Sequence, residues 1–455
     1  MSAPRYDVIP RFARLIVMHM KRTCIGSLIL MAVLSGEGRD AETNIAAEMA
    51  TTTNVTTLDT LVVEALERNP ELKFYEAEIL AAKGGRQTAG LLAHPELSGS
   101  LGSKTARGGG LSAEGVAWSV SVLQPFEWPG RLGLRKAIAN RDLELAELGN
   151  ARFKMALAGQ ARMLAYGLFA AQEKAAAARE VAERFQALRE VLVQRDPAGL
   201  TPLLETRVIE ATELTMQRKA SDATLATQAA LLELNQLRGG ALDTRLAVSR
   251  TPLAFRPAES LAALTALART NNFELRLRAV ELAQQGFRVD LARNERYPSI
   301  SVGPTISEEN AGDRERIIGV GVSFPLPLWN RNTGNIQTAV ARRMQAEVSL
   351  SVTAREIERK VVAAALTYET KVREMAKWRP DSLQQFKDAA GLADRHYRLG
   401  AVPISTYVEL QKQYLEAVES ILDVKREALA AAQNLELLTG LTPPLASMTA
   451  KEETK

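Results

Sequence analysis

The sequence predicts a mainly α-helical protein with a smaller β portion, built twice from one unit of helix, two strands, long helix and return helix. Three observations predict this. Short markers recur in the same order about 200 residues apart. Four short segments alternate strictly between apolar and small or polar residues. Alanine- and leucine-rich stretches without proline run between them, the longest from Leu134 to Asp196.

The repeat is carried by six matches in the same order. "NPEL" at 69–72 returns as "NFEL" at 272–275, and "HPEL" at 94–97 returns as "YPSI" at 297–300, each 203 residues on. "PFEWPGR" from Pro125 matches "PLPLWNR" from Pro325, Gly199 matches Gly400, Pro202 matches Pro403, and "LRG" ending at Gly239 matches "LTG" ending at Gly440. The period is far longer than that of a solenoid unit, so it reads as a duplicated half.

Composition sets the limits. With 46% apolar residues but only 5% aromatic, the chain favours long helices in close contact over a thick aromatic core. The net charge of +4 comes from Arg5, Arg11, Arg14, Lys21 and Arg22 against Asp7, which leaves the remainder neutral and removes the electrostatic case for nucleic-acid binding. Residues 21–34, "KRTCIGSLILMAVL", form a basic segment and an apolar run too short to span a bilayer, followed by Ser35 and Gly36. This pattern predicts a secretory signal over residues 1–36, with Met20 as an alternative start that would leave 1–19 untranslated. Cys24, the single cysteine, lies inside that signal, so the exported chain is expected to lack disulfides and a lipid anchor.

The elements follow in order. An extended segment is expected over 37–57, and a first repeat over 58–240 with strands at about 96–103 and 115–124. Leu97, Gly99 and Leu101 share one strand face, as do Val116, Trp118, Val120 and Val122. The polar connection "SKTARGGGLSAEG" reads as a long loop. A helix of up to 63 residues then runs about 95 Å to the turn "DPAGLTP", and a return helix over about 203–237 closes at Gly239.

An equatorial linker over 241–260 leads to the second repeat, 261–440. Its short first helix ends near 270, and Asn272 caps the next one. Strands are expected at about 299–307 and 316–325, joined by the polar "SEENAGDRER", before a long helix that Pro380 should interrupt. After the turn at Gly400, Val408, Leu415 and Leu422 form one seven-residue row and Tyr407, Tyr414 and Ile421 its neighbour, which suits a helix touching partners on both sides. A tail occupies 441–455.

A single hairpin of this kind fits a membrane barrel and a soluble sandwich fragment alike. Four strands cannot close a barrel, and an open edge is not tolerated in lipid, so membrane-spanning strands would require several chains to share one barrel. The Gly/Pro turns would then project far from the bilayer, with Ala198, Gly199, Leu200, Leu399, Gly400, Ala401 and Val402 as exposed apolar tips suited to a docking partner.

The duplicated unit, "NPEL", "PFEWPGR" and the two glycine-containing tips resemble the TolC family of outer-membrane efflux channels over nearly the whole chain after residue 57. "LGAVPISTYVELQKQYLEA" is most similar to the heavy-metal, CzcC-type branch. The resemblance implies a homotrimer that closes a twelve-stranded barrel in outer-membrane lipid, continued by a long periplasmic α-helical barrel. It also implies tips that meet a periplasmic adaptor coupled to an inner-membrane proton-driven pump of the resistance-nodulation-division type. The implied cargo is cobalt, zinc, cadmium or nickel.

Candidate chemistry is sparse. His94 and His396 are the only histidines beyond the signal, so no His/Cys cluster with metal-ligand spacing can form, and no resident metal or cofactor is expected. His94 aligns with Tyr297, which suggests an interfacial ring position, and His396 near a helix end suits the helix dipole. No nucleophile–base constellation or phosphate-cradling loop appears, so no catalysis is expected. Glu205 and Glu409, just beyond the tip glycines, are candidates for charged rings at a tunnel mouth, with an ordinary helix N-terminal charge as the other account. Three functions stay open: a metal-efflux channel, a channel for drugs or type I protein secretion, and a periplasmic coiled-coil scaffold.

Overall fold

A computed structural model of the chain describes residues 54–108, 111–193, 200–249, 253–379, 382–440 and 444–447. The elements in order are β1 (Asn54–Thr56), α1 (Leu58–Arg68), α2 (Glu71–Ala89), β2 (Glu96–Gly108), β3 (Leu111–Phe126), α3 (Arg131–Val193), α4 (Leu200–Leu237), β4 (Leu246–Val248) and β5 (Ala254–Phe255). They continue with α5 (Leu261–Asn271), α6 (Phe273–Asn294), β6 (Ile300–Ala311), β7 (Asp313–Ser323), α7 (Thr333–Ala376), α8 (Ser382–Arg398), α9 (Ile404–Thr439) and β8 (Ala446–Ser447).

Local chemistry sets many of these boundaries. Thr57, Ser260 and Asn272 cap α1, α5 and α6 by accepting backbone N–H bonds in the first turn. Pro403 precedes α9 in an extended conformation, where its missing N–H costs nothing. Gly440 ends α9 in the left-handed region at φ 65°.

The main β portion is an antiparallel sheet in the order β2-β3-β6-β7, so among the described residues β2 and β7 each pair on one side only. The register is continuous: Leu97 faces Val122, Val120 faces Ile306, and Ile306 faces Ile318. At the β3–β6 junction the backbones approach so closely that a Cβ on Gly303 would lie 1.8 Å from the carbonyl oxygen of Val122.

The helices form two layers that continue this order. Nearer the sheet, α3 packs between α2 and α6, and α7 packs on α6. Farther along, α3 packs between α4 and α9, and α9 packs on α7 and α8. Helix α3 runs through both layers; its 63 residues give about 95 Å. The main apolar core follows these contacts, with Tyr166, Phe185, Tyr368 and Tyr407 among its largest buried side chains. Both seven-residue rows of α9 are buried, from Tyr407 and Val408 to Ile421 and Leu422, as a helix with neighbours on both sides requires. The flanks differ. Helix α2 buries only Leu72, and α4 leaves Leu204, Val208, Leu214, Leu225 and Leu232 exposed.

Three features differ from the sequence reading. The strands are longer than expected, because the polar segments read as loops extend the ladder almost to its ends; Lys104 on β2 pairs with Glu309 on β6 at 2.5 Å, and the second hairpin turns at Gly312 alone. The two strand-to-helix turns match 202 residues apart, with left-handed Gly130 and Asn332 directly before α3 and α7, so the Pro125–Pro325 match is offset by two. Two small sheets were not foreseen: β1 pairs with β4 in parallel, and β5 pairs with β8 antiparallel. These runs of two or three residues are too short for alternation to be seen. Pro380 lies outside the described residues, between the end of α7 and the start of α8.

Candidate functional site

The sheet separates two chemistries by the period of two. On one face stand Leu97, Leu101, Val120, Val122, Ile306, Ile318, Val320 and Val322, all exposed; Leu101 is 79% exposed and Val320 73%. The other face carries small polar groups. Ser98 and Ser121 hydroxyls lie 2.7 Å apart, Ser100 and Ser119 2.8 Å apart, and Gly102, Ala117, Thr305 and Ser307 share that side. Beyond them Lys104 lies between Glu309 and Glu315. An apolar exposed band opposite a serine-lined face fits lipid on one side and water on the other. Where the strands meet the helices, Trp128 stacks on Tyr297 with ring centroids 4.7 Å apart, and Trp329 is 93% exposed. Aromatic rings at that level suit a membrane interface. His94 is exposed just before β2, so the long helices separate it from His396 near the end of α8.

At the opposite end of the helices the tip residues surround a cleft of about 470 Å³, lined by Leu188, Val191, Glu205, Tyr397, Val402 and Ile404. Gly400 sits at φ 71°, and the backbone N–H of Ala401 reaches back to the His396 carbonyl at 2.9 Å. That reversal leaves Leu399 81% exposed. Ala198, Gly199 and the side chain of Leu200 lie outside the described residues.

The two acidic candidates are not brought together. Glu205 accepts from the Tyr397 hydroxyl at 3.5 Å, linking the two halves of the chain, whereas Glu409 accepts from Gln413 on its own helix at 2.9 Å. Tyr397 stacks on Tyr407 with centroids 5.2 Å apart, and Phe185 packs on the same ring. Burial pushes the Tyr407 hydroxyl well above its ordinary pKa. Sequence reasoning missed Tyr397, because its partner is 192 residues away and left no local signal.

A third arrangement, of which only the Asn272 cap was foreseen, gives the repeat markers their purpose. Asn69 accepts from Glu71 N–H and donates to the Leu237 carbonyl at 2.6 Å, while Asn272 accepts from Glu274 N–H and donates to the Leu438 carbonyl at 2.8 Å. Each asparagine thus starts one helix and holds the end of the return helix of its own half. Gly239 follows in the left-handed region at φ 64°, and only glycine fits there, since a Cβ would lie 2.6 Å from the Arg68 carbonyl oxygen. The adjoining chain is tied down by α3 and α7: Gln172 donates to the Leu246 carbonyl at 2.8 Å and Tyr368 to the Arg256 carbonyl at 2.6 Å. Burial pushes the Tyr368 hydroxyl up to about 12. Near it, buried Glu436 accepts the backbone N–H groups of Leu445 and Ala446, and desolvation raises its pKa even though Arg162 lies 3.5 Å away.

Among the described residues no group of three or more His, Cys, Asp or Glu could hold a metal ion, and no helix is long and apolar enough to cross a membrane. What remains is a wall: polar on one side, apolar on the other, open at both flanks.

The outer membrane efflux protein family matches residues 264–441. The chain is 24% identical over 292 residues to the cobalt-zinc-cadmium resistance protein CzcC of Cupriavidus metallidurans, covering 64% of this chain and 68% of that protein. It is 24% identical over 299 residues to the nickel-cobalt-cadmium resistance protein NccC of Alcaligenes xylosoxydans xylosoxydans, covering 64% of this chain and 65% of that protein. The pyoverdine export outer membrane protein OpmQ of Pseudomonas aeruginosa is 22% identical over 404 residues, covering 83% and 84%. Among solved structures, CusC superposes with a TM-score of 0.67 at 15% identity over 85% of this chain and 92% of that one. The Campylobacter jejuni CmeC outer membrane channel superposes with a TM-score of 0.67 at 16% identity, covering 90% and 94%.

Proposed function

We propose that this chain, which belongs to the TolC family of outer membrane efflux proteins, is the outer-membrane channel of a tripartite proton-driven system that exports divalent heavy-metal cations. Its family and fold are those of a channel. Family members form trimers and work with an adaptor and an inner-membrane pump. The observation that carries the reading is the two-faced sheet: its exposed apolar band needs lipid, its serine-lined face needs water, and its two free edges need neighbours. Three copies would bring twelve strands together.

The choice of cargo rests on the named specificities of the CzcC and NccC relatives, cobalt, zinc, cadmium and nickel. A second reading, export of organic molecules, draws on OpmQ, which aligns over more of the chain. A periplasmic scaffold would leave the exposed apolar band without a role. In the channel, the cleft around Gly400, Ala401 and Val402, with Leu399 at its rim, would receive the adaptor, and Glu205 and Glu409 would stand near the tunnel mouth. Deletion of the gene, with metal and drug tolerance measured side by side, tests the cargo. Sensitivity to cobalt, zinc, cadmium or nickel that the intact gene reverses supports metal export; sensitivity confined to drugs rejects it.

A further inference from the structure

The hairpin ends of the sheet carry charges that a channel wall does not need. On the apolar face the band formed by Trp118, Ile306 and Ile318 ends at Glu308, which faces Arg316 across the ladder. Glu308 is buried beneath two arginines. Arg314 Nε lies 2.7 Å from its Oε1, and Arg316 Nε and Nη2 lie 3.1 and 2.9 Å from its Oε2. The two arginine side chains are nevertheless 65% and 58% exposed. A guanidinium has five donors in a planar fork, so a shared carboxylate leaves donors on both arginines for a further anion.

The repeat supplies the neighbour at this edge. Ser98 faces Ser121 in the first hairpin as Ser301 faces Ser323 in the second, which relates β2 to β6 by 203 residues and β3 to β7 by 202. If β7 meets β2 of a second copy as β3 meets β6, the pair Phe126–Ile300 becomes Leu328 with Leu97 of that copy. Trp118–Glu308 becomes Val320 with Thr105 in the same way. This register keeps Leu97 and Leu101 on the face of Val320 and Val322, whereas a slip of one residue would turn them to the serine side. It also brings Arg107 of the second copy level with Ile318, diagonally beside Arg316. Arg107 is exposed and shares the face of Leu97 and Leu101.

We propose that Arg314 and Arg316 of one copy, with Arg107 of the next, bind the phosphorylated headgroup of a membrane lipid at the outer end of each seam. The inference rests on the channel reading, which places the hairpin ends at the outer leaflet. Glu308 and Glu114, diagonal to Arg107, leave the cluster one net positive charge. At the same height the opposite face sets Glu309 and Glu315 around Lys104, so an anion is favoured on the lipid side and not in the lumen. The apolar band directly below would take the acyl chains.

The test uses the full exported chain reconstituted into digalactosyldiacylglycerol vesicles, whose own headgroup carries no phosphate, that contain either diphosphorylated or phosphate-free lipid A, with retained lipid counted by native mass spectrometry after extraction. The chain should enter both bilayers and retain the phosphorylated lipid selectively. R107Q/R314Q/R316Q should weaken that retention at least about tenfold. R107K/R314K/R316K, which keeps the charge, should retain an intermediate amount and serves as the folding control. R207Q/R218Q on α4 should behave as wild type. Equal retention of the two lipids, or a triple glutamine variant that folds and retains lipid as wild type does, overturns the site and leaves the channel intact. Failure of the wild-type chain to enter either bilayer overturns both.

Discussion

At the residue scale the most informative side chains are the paired asparagines. Asn69 and Asn272 each satisfy a helix start and a helix end, so removing either one leaves a backbone donor and a half-buried carbonyl without their partner. N69A and N272A are each expected to cost about 1–2 kcal/mol, seen as a lower unfolding midpoint by circular dichroism. Glu436 gives a pH signature. Its folded pKa is raised by burial, so the folded state holds that proton more tightly than the unfolded chain does. Stability is therefore favoured below the folded pKa and falls as pH rises through it. E436Q keeps an acceptor for the Leu445 and Ala446 N–H groups without the charge. It should flatten that fall above the ordinary carboxylate range, checked by unfolding midpoints across acid and neutral pH; an unchanged slope would remove Glu436 as the cause. "NPEL" and "NFEL" were legible as markers, but the carbonyls they hold are more than 160 residues away. Periodicity does not report such distances.

At the scale of elements, the strands test the assignment of faces. V320R places a charge in the apolar band and should cost about 2–4 kcal/mol, with poor incorporation into vesicles. S119R, on the serine face, should incorporate normally and change conductance instead. Equal damage from both would contradict the two-sided wall. Most elements were legible in the sequence because their signals are local: a proline-free stretch for α3, glycines after α4 and α9, and alternation in all four long strands. The outer strand halves were not, since Lys104, Glu309 and Glu315 have loop-like composition and become strand only through their cross-strand partners. The tip was legible in part. Gly400 marked the reversal, but the cleft needs Leu188 and Val191 from α3, which no turn motif indicates. At that tip, E409Q should shift the cation preference of single channels in planar bilayers, because Glu409 is exposed and its hydrogen bond is to Gln413 on its own helix. Unchanged selectivity would leave it an ordinary helix charge.

At the scale of the whole molecule, the sheet and both helical layers share one property: each is a row of neighbouring elements with two unfilled flanks. The sheet ends at β2 and β7, and exposed apolar side chains line α2, α4 and α7. In water such flanks are liabilities; in a ring of identical copies each flank meets its complement. The number three was not read from periodicity but from the family resemblance, since four strands establish only that one chain is too few. Measuring the mass of the exported protein after extraction tests this most directly. The account predicts that it leaves the membrane only with detergent and then carries three copies of the chain; a stable water-soluble monomer would contradict it.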